Sequence, residues 1–134
     1  MGAGRAAAQA SHASNAFIHK YGNKPDVKEW QKQTPQGFGT AIVLGVTADQ
    51  LTEKVTRAKV GNIPADFIVD TDYVVPISSE LVPYLDKSNK DIKVEQSPVD
   101  PNKYVIHRRE ITCGYIFGRK EDLSELLGDL NLYS

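Results

Sequence analysis

The chain opens with chemistry-bearing residues at close spacing: residues 2–13 read GAGRAAAQASHA, with Gly2, Gly4, Arg5, Gln9 and His12 among small side chains. On a helix, Arg5, Gln9, His12, Ala16 and His19 follow a four-three-four-three spacing and share one stripe, beside an apolar stripe of Ala6, Ala10, Ala13 and Phe17. Gly2 and Gly4 leave amide N–H groups uncovered at the positive end of that helix. Such an end favours a phosphate or the oxyanion that develops during acyl transfer. By spacing alone the same residues also suit an ordinary solvated helix face, because a lone Gly-x-Gly is a weak signal.

The rest of the composition narrows what such a site could serve. At 134 residues and 40% hydrophobic content the chain can bury one ordinary core, so a single domain over 1–134 is expected. A formal charge of −1 lacks the global Lys and Arg excess of a nonspecific nucleic-acid binder, so any polyanion must meet a local patch. Cys113 is the single cysteine, which excludes an intrachain disulfide or a cysteine metal cluster and fits a reducing compartment. It reads most simply as a buried strand thiol. Apolar runs such as AIVLGV are too short to span a bilayer and no signal-peptide core is visible, so no membrane association and a cytoplasmic location are expected. Ala6 occupies the place where N-myristoylation wants Ser or Thr.

The elements that must position these residues alternate between helix and strand. A helix is predicted from Arg5 to Tyr21, closed by Gly22 and Asn23, and a second from Pro25 through DVKEWQKQ to the breaker TPQGFG. TAIVLGV, residues 40–46, reads as a strand covered on both faces. Thr47 with Gln50 forms a capping box for a helix through Lys59 that stops at Gly61-Asn62. ADFIVDTDYVVP is the next strand, and this order argues a layered α/β sheet rather than a bundle. Beyond it, SSELVPYLDKSNK reads as a short helix and polar turn. DIKVEQ, KYVIHR and EITCGYIFG read as three strands with a hairpin at Arg109 and Glu110, and RKEDLSELLGDLNLYS as an amphipathic helix and short tail. Trp30, Tyr115 and Phe117 read as core, and His19 and His107 as surface or structural histidines.

MGAGRAAAQASHA closely resembles the helix-opening signature of the archaeal and eukaryotic type of peptidyl-tRNA hydrolases, a glycine turn followed by Ala-Ala-Gln and Ser-His-Ala. RAKVGNIPADFIVD and the ending GYIFGRKEDLSELLGDLNLY are similar to that family as well. The resemblance implies a three-layer α/β/α sandwich with a small mixed sheet. Its activity would be hydrolysis of the ester joining a peptide to the terminal ribose of tRNA, with peptidyl-tRNA as partner and no metal or organic cofactor. It places the functional carboxylate at Asp70, to orient or partly deprotonate the attacking water. Gly2, Gly4 and Arg5 would hold a phosphate or the oxyanion, while Gln9 and His12 would fix the terminal adenosine or orient Asp70. Lys20 and Lys24, with Lys28 and Lys32, suit an RNA-contacting edge of the first two helices, and a homodimer is compatible with this reading.

The departures from the family pattern are as specific as the matches. Arg5 stands for a lysine, keeping the charge but giving up proton transfer. Val74 stands for a threonine, and Thr71 is the nearby hydroxyl that could bind substrate in its place. Residues 78–108 form an insertion before the last family strand, and the family's first strand, which precedes the glycine turn, is absent ahead of Met1. Either a strand lies upstream or a strand from residues 91–108 fills its slot. Two rival functions follow: a catalytically inactive relative binding tRNA or a protein, and another small hydrolase or transferase activity on the same fold.

Overall fold

A computed structural model describes residues 2–85, 92–100 and 102–133, with backbone alone at 71–75, 92, 107 and 108. The fold is α/β, with four helices and two small sheets among the described residues. Its contacts divide the chain into two compact units, one of residues 1–68 and 113–134 and one of residues 69–112.

The first unit carries the helices. Helix α1, Ala3–Tyr21, is built from alanine and other good helix formers and ends where Gly22 donates its N–H to Ile18 O at 2.8 Å. His19 and Lys20 in the last turn complement the negative pole. Helix α2, Pro25–Gln31, starts on the proline that is already fixed for a first turn. In α3, Ala48–Val60, Thr47 and Gln50 make both bonds of a capping box, the Thr47 hydroxyl accepting from Gln50 N at 3.1 Å and Gln50 Oε1 accepting from Thr47 N at 2.9 Å. The helix stops because Asn62 takes a left-handed φ of 59°, which lets Ile63 N reach Ala58 O at 2.9 Å and Asn62 N reach Lys59 O at 3.1 Å.

The chain then enters β2, Ala65–Ile77, and returns through β4, Tyr104–Ile116, into α4, Lys120–Leu127. Val55, Ala58, Ala65 and Leu126 form the buried core, flanked by Leu51, Ile63, Phe67, Ile116 and Leu127. A second apolar cluster is aromatic: Phe17 of α1 lies 5.0 Å from Phe117, 5.5 Å from Tyr115 and 5.8 Å from Trp30 between ring centroids. Trp30, Tyr115 and Phe117 are thus packing residues, as their sequence setting suggests, and they hold α1 in place.

Three expectations are corrected. Residues 40–46 do not form a strand covered on both faces: only Leu44–Gly45 is strand, β1, and it pairs solely with a two-residue β5, Asn131–Leu132, in the segment expected to be a tail. Ile42 stays 67% and Val43 52% exposed, and among the described residues β1 pairs with β5 alone. Second, Arg109 and Glu110 make no hairpin. The pair contains none of the residues that favour a tight turn, and the chain runs through it as one thirteen-residue β4. Third, Gln9 does not share the solvated face with Arg5 and His12. It is buried together with Ala13 and Phe17, the residues four and eight positions on, whereas Arg5, His12 and His19 are exposed.

The second unit is sheet. β3, Ile92–Gln96, pairs antiparallel with β4 in the register Ile92 to Arg108 through Gln96 to Tyr104, giving a strand order β2–β4–β3. Ser97 and Asp100 shape the connection between them: Ser97 N donates to Lys103 O at 2.8 Å and Asp100 Oδ1 accepts from Asn102 N at 3.0 Å. The short helix expected near residue 82 is a single 3-10 turn, Val82–Tyr84. The polar turn expected to follow it reaches residues 86–91, which lie outside the described residues.

Candidate functional site

The first turn of α1 is open. Gly2 is the N-cap and supplies no side-chain cap, no acidic residue sits in the first turn, and Ala6 N donates to Gly2 O at 2.9 Å. A methyl group on Gly2 or Gly4 would meet no described atom within 4 Å, so internal packing does not require glycine at either position. What the two glycines do is keep the amides at this positive pole unscreened, with the exposed Arg5 one residue further on.

One turn along, Gln9 is 6% exposed and its main-chain carbonyl accepts from the Cys113 thiol at 3.4 Å. Cys113 is half-buried and occupied as a weak donor that ties α1 to β4. The structure therefore brings Gly2, Gly4 and Arg5 together, sets Gln9 against the sheet, and leaves His12 on the solvent face.

The other end of α1 holds a charged and aromatic cluster. Asp66 on β2 accepts from Lys20 Nζ at 3.0 Å and from Lys59 Nζ at 3.2 Å, and its Oδ1 also accepts from Phe67 N at 2.9 Å. Partial burial pushes the Asp66 carboxyl up, but the bonds from Lys20, Phe67 N–H and Lys59 outweigh it and hold the group below its ordinary range. The hydrogen bond to Asp66, and then its charge, raise the Lys20 ammonium. Lys20 and Lys24 place their ammonium groups 5.4 and 5.3 Å from the centre of the Tyr21 ring. Burial, followed by the neighbouring Tyr21 and Asp66, raises the Tyr115 phenol.

Asp70 and Thr71 belong to the second unit, both on β2; Asp70 is half-buried, and the Thr71 side chain lies outside the described residues, as do those of Val74 and His107. By the two-residue strand period Asp66 and Ile68 share one face of β2. Tyr21, Lys59 and Asp66 join the charged cluster without belonging to the opening motif. Tyr21 between Lys20 and Lys24 is a readable signal, whereas the Lys20–Asp66 pair joins residues far apart in the chain. A groove lined by Arg57, Ile63, Asp122, Glu125 and Leu126 carries two carboxylates to one guanidinium, a poor match to a polyanion.

An α/β protein whose longest helix presents an unscreened positive pole is, as a class, one suited to anionic groups or developing negative charge. More narrowly, the chain belongs to the peptidyl-tRNA hydrolase PTH2 family, whose model matches residues 1–133. No curated protein matches it. No helix among the described residues is long and apolar enough to cross a membrane.

Proposed function

We propose that this chain is an active peptidyl-tRNA hydrolase, cleaving the ester between a peptide and the terminal ribose of tRNA in the cytoplasm. The observation that carries the reading is the family match over residues 1–133, within which the open glycine start of α1 falls. In the reaction, water adds to the ester carbonyl, the carbon–oxygen bond to ribose breaks, and a peptide carboxylate and a free ribose hydroxyl leave. Asp70 orients the water and takes its proton in part. The amides after Gly2 and Gly4, with the Arg5 guanidinium, stabilise the carbonyl oxygen as it becomes negative or hold the neighbouring phosphate. Arg5 acts by charge alone, since a guanidinium does not give up its proton.

Burial of Gln9 favours a positioning role for it, and exposed His12 is the better candidate for touching the terminal adenosine. Thr71 supplies the hydroxyl that Val74 lacks, and Lys20 and Lys24 meet the RNA. The test is release of tRNA from N-blocked aminoacyl-tRNA without added metal. No turnover with retained tRNA binding would instead identify an inactive binding module.

A further inference from the structure

The two ends of α1 carry different chemistry on one rigid element, and all the groups concerned lie in the first unit. Sixteen residues separate Arg5 from Tyr21 in one unbroken helix, a rise of roughly 24 Å at 1.5 Å per residue. At the near end are the open glycines. At the far end, Tyr21 is braced by Phe17 at 6.2 Å and Tyr115 at 6.3 Å, so its ring is pre-positioned, and two ammonium groups lie within 5.4 Å of its centre. Lys20 and Lys59 are about half exposed, and their shared carboxylate Asp66 fixes them without cancelling them: three ammonium groups with Lys24 against one carboxylate leave a local excess of two positive charges on a chain of net charge −1. An aromatic ring with cations beside it offers a nucleobase a stacking partner and the neighbouring phosphates a charge partner.

We infer that α1 works as a spacer, with its N-terminal end addressing the ester and the Lys20–Tyr21–Lys24 cluster gripping the RNA strand at the far end. The enzyme thereby favours a long acceptor arm over a short 3′ fragment. This rests on the peptidyl-tRNA reading proposed above. At about 3.4 Å per charge along a stacked strand, roughly 24 Å corresponds to about seven nucleotides from the reacting ribose. A single adenosine carrying the ester cannot span that distance. Asp66 is a positioning residue here, its carboxylate holding the Lys20 and Lys59 ammonium groups together.

The experiment compares two esters, N-acetyl-aminoacyl-tRNA and N-acetyl-aminoacyl-adenosine, on the wild type, Lys20→Gln/Lys24→Gln and Tyr21→Leu, with thermal melting to confirm folding. The wild-type preference in kcat/KM for the tRNA ester is expected to fall at least about fivefold in each variant, the lower end of what one base–aromatic stack supplies. For the double lysine variant the dependence of log kcat/KM on log salt should also flatten by about two. A preference unchanged in both variants overturns the spacer, and so does an equal loss on both esters, which would make the cluster part of the chemical site or of the fold. Should the wild type cleave neither ester, the hydrolase reading fails by itself. Mobility shift with uncharged tRNA then decides the grip: weaker binding by the variants supports it and equal binding refutes it.

Discussion

Replacing Gly39 by alanine should unseat the aromatic cluster that holds α1. Gly39 is buried, and a methyl group there would lie 2.4 Å from Trp30 O, 2.5 Å from Trp30 Cδ1 and 2.6 Å from Trp30 Nε1. The carbonyl cannot rotate away, so the indole or the backbone must shift. Trp30 Nε1 donates to Thr40 O at 2.8 Å, and the ring stands edge-on to Phe17 and Phe117 with centroids 5.8 and 6.2 Å away. Overpacking costs about 1–3 kcal/mol. A broken hydrogen bond costs about 1 kcal/mol more. A total of roughly 2–4 kcal/mol, at about 4 °C per kcal/mol for a domain of this size, lowers Tm by about 8–16 °C. Trp30 is the only tryptophan, so its fluorescence reports the perturbed site and the urea transition together. A Gly39→Ala protein with unshifted emission and a Tm within about 2 °C of wild type would refute the packing argument.

Asp70→Asn should lower turnover of N-blocked aminoacyl-tRNA by roughly 10² to 10⁴ while leaving tRNA affinity in place; equal turnover would remove Asp70 from the chemistry. Thr47→Ala breaks one bond of the capping box and should cost about 1 kcal/mol in urea unfolding. The Asp66 carboxyl sits below its ordinary range in the fold, so its contribution is present above about pH 3.9 and lost as pH falls further through the folded value. Urea midpoints of wild type and Asp66→Asn at pH 6 and pH 3 should therefore converge at the lower pH.

What could be read in the sequence was local. Thr47, Gln50, Gly61 and Asn62 set the two ends of α3 through bonds that span five residues at most, and both ends stand where those residues predict. Gly2, Gly4 and Arg5 are consecutive enough that any helix there brings them together. Burial is another matter, because it depends on partners elsewhere in the chain. TAIVLGV has the β-branched composition of a covered strand, yet its cover has to come from other elements, and β5 supplies two residues of pairing. A three-residue step groups Gln9 with His12, but the four-residue steps to Ala13 and Phe17 decide its side of the helix once the aromatic cluster has packed. The Lys20–Asp66–Lys59 pairs follow from the packing of α1, β2 and α3, which no spacing encodes.

The exposed segment at residues 40–46, whose two strand residues pair on one side alone among the described residues, also governs how the protein behaves in a tube. Sheets ordinarily guard a free edge with a lysine, a proline, a bulge or brevity, and TAIVLGV contains no charge and no proline. Seven residues of this kind, largely apolar and β-prone, with only Leu44 and Gly45 in a described ladder, are enough to template like segments from other molecules. Concentrated stocks should thus lose monomer progressively, with light scattering that rises with concentration. A single lysine at the two-thirds-exposed Ile42 should slow that loss, because it places a charge on the face of the segment that another chain would have to cover.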